Sequence, residues 1–191
     1  MKEHFAYDRV LKDLFQKDHP SLLDQLTGGV PVRAFLKVEF PRVMERRADL
    51  VALLEDDSVF HLEFQGQNDK HIAYREGVYC FLIGHKHMRK VRQAVLYVGQ
   101  PKMRMQSELD VGGAKISFRL IDIRELSADT FLQSGHPGDL ALAMLASGGT
   151  ERLAEIARNV EKLNDAARTR VLAQLALLSG LRGLTGRLKW R

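Results

Sequence analysis

The feature that most constrains this chain is a pair of short apolar runs, Ala48 to Leu54 and Val59 to Phe64, separated by Glu55-Asp56-Asp57-Ser58. Each run is too short for an ordinary helix, and consecutive polar residues between apolar runs read as a turn. The segment is therefore expected to be an antiparallel hairpin, so its surroundings must pack against a sheet. Val30 to Phe40 supplies a third strand-like block ahead of it. Downstream, Asp69 is suited to cap a helix over about Lys70 to His87, with Ile72, Val78, Phe81 and Leu82 expected on its core side. Ala94-Val95-Leu96-Tyr97-Val98, closed by Gly99, fits a strand buried on both faces, and Ile116 to Ile123 fits another. A helix between strands of one sheet is a crossover, which makes the expected class mixed α/β.

Helices bracket this centre. His4 to Lys17 repeats apolar residues at helical spacing, Pro20 breaks the pattern, and a short helix from Ser21 stops at Thr27-Gly28-Gly29. From Pro137 onward, helices are predicted near 138–147, 150–164 and 165–181, separated by Gly148-Gly149 and by a cap at Asn164 or Asp165. The expected division is a core over 1–136 and a C-terminal helical extension over 137–191. One cysteine, Cys80, excludes a disulfide framework and a multi-cysteine zinc site, and its apolar neighbours read it as a small buried hydrophobe. No run approaches the roughly 18 apolar residues of a membrane span, and Met1-Lys2-Glu3-His4 opens no apolar signal core. A cytoplasmic protein with no membrane partner is the expectation.

The net charge of +5 comes from residues 146–191, where nine Lys/Arg meet four Asp/Glu. Arg168, Arg170, Arg182, Arg187, Lys189 and Arg191 follow the last acid. They could contact phosphates or form a solvated helix face and chain end.

Two acids carry the chemistry. Asp49 opens one arm of the hairpin and Glu63 closes the other, fourteen residues apart. With 55–58 as the turn, the start of one strand lies beside the end of the next, so the carboxylates meet side by side. Like charges so placed repel, and a cation should compensate them. Mg²⁺ suits a few carboxylate oxygens plus waters, with Mn²⁺ as its substitute. Gln65 shares the face of Glu63 and could orient a water, while the Phe64 carbonyl could be a further metal ligand. By spacing alone, two acids on adjacent strands are also ordinary surface positions.

Beyond spacing, the ordered set Glu39-Phe40-Pro41, Arg46-Arg47-Ala48-Asp49-Leu50-Val51, Phe60-His61-Leu62-Glu63-Phe64-Gln65, Asn68-Asp69, Tyr74-Arg75, Tyr79 and Val95 to Gly99 resembles the Rpn-type recombination-promoting nuclease/transposase family. Asp8 to Phe15 and Leu177 to Arg182 extend the likeness over most of the chain. The resemblance implies the PD-(D/E)XK restriction-endonuclease-like fold, a mixed sheet flanked by helices. It implies Mg²⁺-dependent hydrolysis of DNA phosphodiesters, linked to recombination or mobile elements, with Asp49 and Glu63 as the two motif acids. The superfamily's lysine is replaced by Gln65, which brings no positive charge. Arg75 is the best substitute cation, since Arg75 and Tyr79 share a helix face. The alternative is a structural ion pair at Arg75 with Tyr79 in the core.

Other residues are weaker candidates. Asp8 and Glu39 are candidate further ligands, whereas His85, Lys86 and His87 read as a basic helix end. Two alternatives to an enzyme remain at this level: a catalytically degenerate DNA-binding module and a homodimeric interaction module. Leu153, Ile156, Val160 and Leu163, with Val171, Leu175 and Leu178, would supply the dimer stripes, or else pack within the monomer.

Overall fold

Pro20 has no N–H to donate and a fixed φ, and it divides the opening helical segment as those properties require. In the computed structural model, which describes residues 4–38 and 48–184, α1 spans His4–Lys17 and α2 spans Ser21–Thr27. Gly28 and Gly29 end α2 at φ +73° and +79°, in the left-handed region that favours glycine. The chain divides into two compact units, residues 26–121 and residues 1–25 with 122–191. The opening helices thus belong with the C-terminal ones, an organisation that a boundary at 136/137 does not anticipate.

In the first unit, β1 (Val32–Leu36) and β2 (Leu50–Leu54) pair antiparallel, and β2 pairs antiparallel with β3 (Val59–Gln65). The four-residue turn forms as expected. The Leu54 N–H donates to the Ser58 carbonyl at 2.9 Å, and Asp56 Oδ1 accepts from the Ser58 N–H and hydroxyl at 3.1 and 2.6 Å. Arg33 and Arg89 pair with Asp57, and Arg92 pairs with Asp56, so basic residues offset the acidic tip. The Ser58 bonds, ahead of Arg92, hold the Asp56 carboxyl below its ordinary pKa.

Helix α3 (Ile72–His87) then crosses to β4 (Val91–Tyr97), which runs parallel to β3 from Val59↔Val91 to Gln65↔Tyr97. The helix starts two residues later than predicted. Asp69 Oδ1 accepts the His71 N–H at 2.8 Å, but its other oxygen holds Arg75 at 2.5 Å. Its core face is corrected too: Ile72, Ala73, Glu76, Gly77, Tyr79 and Ile83 are buried, and Phe81 is 59% exposed. The helical period through 72, 76, 79 and 83 sets that face, and the polar Glu76 interrupts the apolar stripe a reader would follow. Cys80 is only half-buried.

Past β4, Gly99 sits where a Cβ would lie 2.2 Å from the Gly66 carbonyl, so the ends of β3 and β4 can close only over glycine. The expected strand over 116–123 is two strands. β5 (Glu108–Asp110) and β6 (Lys115–Ser117) form a separate hairpin, and β7 (Arg119–Asp122) completes the sheet in the order β1-β2-β3-β4-β7. The break has a packing cause. Leu109 and Ile116 reach α3 at Gly77, where a Cβ would meet them at 3.2 and 3.5 Å, while Phe118 turns into a core with Ile72, Ala73 and Val95. The unit is therefore mixed α/β around a five-stranded mixed sheet.

The second unit is helical. A short 3-10 turn (Ile123–Glu125) precedes α4 (Ala128–Gln133) and α5 (Pro137–Leu145), followed by α6 (Leu153–Glu161) and α7 (Asp165–Leu178). From Gly138 to Leu145 every residue of α5 is buried, which makes it the centre of its unit. Asn164 caps α7 as expected, its Oδ1 accepting the Ala167 N–H at 2.9 Å. Ile156, Val160, Val171, Leu175 and Leu178 are buried, so both proposed dimer stripes are largely spent on packing. Among the described residues no helix is long and apolar enough to cross a membrane.

Candidate active site

The β2–β3 ladder stops at Leu50↔Leu62, and continuing its register one residue sets Asp49 opposite Glu63. β3 runs on past that point beside β4 alone. The Val59 N–H donates to the Lys90 carbonyl and the Val98 N–H to the Gln65 carbonyl, which shows that the odd residues of β3 bond toward β4. The Phe64 amide and carbonyl therefore face the β2 side, where the Phe64 N–H finds not a backbone partner but Asp49 Oδ2, at 2.9 Å. A side chain replaces the missing rung, which positions Asp49 at the end of the ladder.

Strand alternation gives β3 a polar face of His61, Glu63 and Gln65, and all three are buried. Glu63 is the centre. Arg75 Nε lies 3.3 Å from its Oε1, and His61 Nε2 lies 3.6 Å from its Oε2. Arg75 is also bonded to Asp69, so the guanidinium lies between two acids. Tyr79, one turn along α3, is buried and meets the His61 ring edge-on at 4.9 Å between centroids. Both parts of the structural alternative are present, an ion pair at Arg75 and a core ring at Tyr79, and both lie at the acid.

Behind Glu63 stands a group the sequence reading passed over. His61 Nδ1 is 3.2 Å from Glu76 Oε2, and Gln93 Nε2 donates to Glu76 Oε2 and to the Glu76 carbonyl, both at 2.9 Å. One ligand atom from each of His61, Glu63 and Glu76 falls within 4.8 Å of the others. Burial pushes the His61 imidazole down, but Glu76 and Glu63 outweigh it and hold the pKa at about 10. Burial raises the Glu76 carboxyl, partly offset by His61. Burial, followed by the charge of Glu63, raises the Tyr79 hydroxyl. His61 Nε2, Glu63 Oε2, Glu76 Oε1 and Arg75 Nη2 are buried with no hydrogen-bond partner among the described residues. The signal was present in the alternation His61-x-Glu63-x-Gln65 and in Glu76 one turn before Tyr79, but a histidine and an acid within apolar patterns read as interruptions.

The remaining candidates fall elsewhere. Asp8 lies on α1, in the helical unit. Glu39, Arg46 and Arg47 lie outside the described residues, as do Arg187, Lys189 and Arg191. Within the helical unit, Arg168 donates to the carbonyls of Glu161 and Leu163, Arg170 pairs with Asp18 at 2.7 Å, and Arg182 donates to the Leu145 carbonyl at 2.7 Å. These residues finish helix ends and hold the unit together. His85 and His87 sit in the last turn of α3, where burial and the neighbouring Lys86 and Arg89 lower the His87 pKa.

The chain matches no family model, no curated protein and no solved structure at a significant level. The family resemblance therefore rests on the residues quoted for it.

Proposed function

We propose that the protein is a divalent-metal-dependent DNA endonuclease of the PD-(D/E)XK type. The observation that carries this reading is the bond from the Phe64 amide, between Glu63 and Gln65, to Asp49 where the β2 ladder ends, with Glu63 against Arg75. Asp49, Glu63 and the Phe64 carbonyl would hold Mg²⁺, or Mn²⁺ in its place, and the partnerless buried Glu63 Oε2 fits a missing cation. When bound, the ion acidifies water and neutralises charge on a phosphodiester. The chain's own residues do the rest. Gln65 is neutral, so it orients a water or phosphate by hydrogen bonding and transfers no proton. Arg75 keeps Nη2 without a partner among the described residues, a donor suited to a phosphate oxygen.

One observation favours the alternative of a catalytically degenerate DNA-binding module. Arg75 and His61 already flank Glu63, which gives the acid positive charge from within the fold. Plasmid cleavage decides between the two. The endonuclease nicks or linearises DNA with Mg²⁺ or Mn²⁺, stops with EDTA, and loses activity in Asp49→Ala and Glu63→Ala. Gln65→Lys, which restores a positive charge, preserves or raises the rate. A wild type and a Gln65→Lys variant both inert on supercoiled, linear and single-stranded DNA would establish the degenerate module.

A further inference from the structure

We infer that His61, Glu63 and Glu76 form a dry binding site for a first-row transition divalent ion, selective over Mg²⁺, for which Mn²⁺ serves as the spectroscopic probe. This site shares Glu63, through the same Oε2, with the proposed cleavage centre, and its nitrogen ligand is what tells the two apart. Proton bookkeeping supplies the argument. An amide nitrogen has two hydrogens, and those of Gln93 Nε2 go to the Glu76 carbonyl and Glu76 Oε2, each at 2.9 Å. None is left for His61 Nδ1, 3.2 Å away, so Nδ1 carries its own hydrogen and donates to Glu76 Oε2. Nε2 is therefore the ring nitrogen that faces Glu63 Oε2, across 3.6 Å, with neither atom hydrogen-bonded among the described residues. A metal ion here takes the place of the proton that charges His61 in the metal-free protein, and ligands roughly 2.1 Å from a four-coordinate ion lie ~3.4 Å apart, close to that spacing. Glu76 Oε1 is a third buried acceptor without a partner among the described residues. The carboxylate–imidazole contact behind the ligand nitrogen is the arrangement that orients metal-binding histidines.

Burial and charge set the selectivity. His61 and Glu76 are 0% exposed and Glu63 is 6% exposed, so an ion here must shed most of its water. Mg²⁺ gives up water reluctantly and prefers oxygen, whereas an imidazole nitrogen suits transition ions. Two carboxylates balance a dication, while Arg75, beside Glu63 Oε1, is offset by Asp69.

The test is metal binding by full-length protein stripped with EDTA, incubated to equilibrium with Mn²⁺ and challenged with Mg²⁺. One equivalent of Mn²⁺ should bind on the order of 100-fold more tightly than Mg²⁺. Pulsed electron paramagnetic resonance should show a histidine nitrogen coupled to the bound Mn²⁺. His61→Asn and Glu76→Gln should each weaken binding about tenfold or more and, for His61→Asn, remove the nitrogen coupling. The coupling should persist in Asp49→Ala. Equal affinity for Mg²⁺, or Mn²⁺ bound without nitrogen coupling in the wild type, overturns the inference even where a variant fails to fold. Nitrogen-coupled Mn²⁺ without DNA cleavage leaves this site standing and removes the endonuclease. Cleavage without that coupling does the reverse.

Discussion

Two regions of the molecule bury acids, and they treat them differently. In the helical unit, Asp139 is fully buried in the first turn of α5, and its Oδ2 accepts the backbone N–H and the hydroxyl of Ser21, at the start of α2. Asp18 is matched there by Arg170 and Gln174. These acids join helix to helix. In the sheet unit, Glu63 and Glu76 converge with an imidazole, and an atom of each of the three lacks a hydrogen-bond partner among the described residues, as Asp139 Oδ1 alone does in its own pair with Ser21. Burial of an acid is common to both regions, and it raises the Asp139 carboxyl as it raises Glu76. Convergence is what separates them. An acid with one oxygen directed at donors, as Asp139 Oδ2 is, joins two elements, whereas acids gathered around one imidazole repel one another and draw a cation, the imidazolium itself when no metal is bound.

The comparison breaks most readily at Glu76. Glu76→Ala leaves His61 and Gln93 buried beside a lost partner and should cost ~3–5 kcal/mol, read as a lower urea midpoint. Asp139→Ala loses a capping interaction and should cost only ~1–2 kcal/mol. Equal losses would erase the distinction between the two regions. Next in size is the pH dependence without metal. His61 is raised from 6.5 to about 10, so the folded state binds the extra proton. Its stabilisation is complete below about pH 6.5 and is lost as the pH rises through about 10. Melting temperature in EDTA should therefore fall across that window, and His61→Asn should flatten the fall. Smallest is Phe81→Ser, a change at a 59%-exposed position off the buried face of α3. Its unfolding midpoint should move by no more than about 0.5 kcal/mol.

Phe81 also shows where the sequence misled. An aromatic within an apolar stretch pointed to the core, but the buried face of α3 runs through Glu76, which local hydrophobicity discounts. The hairpin was legible because four polar residues between two apolar runs leave little choice but a turn, and its register followed from their lengths. Asp49, Glu63 and Gln65 came with it, since a strand's alternation is written in the sequence. His61 lay on the same face and could have been included. Glu76 and Gln93 could not, because their meeting depends on how α3 lies across β3 and β4. The division of Ile116 to Ile123 between two sheets was equally hidden, since it arises from Leu109 and Ile116 packing at Gly77.

The bond from the Phe64 N–H to Asp49 has a spectroscopic consequence. An amide proton held by a carboxylate feels that carboxylate's charge directly. When Asp49 is protonated or shares its charge with a bound ion, the Phe64 amide resonance shifts. The missing rung of the sheet thus makes one backbone amide an internal indicator of what occupies the acid beside it.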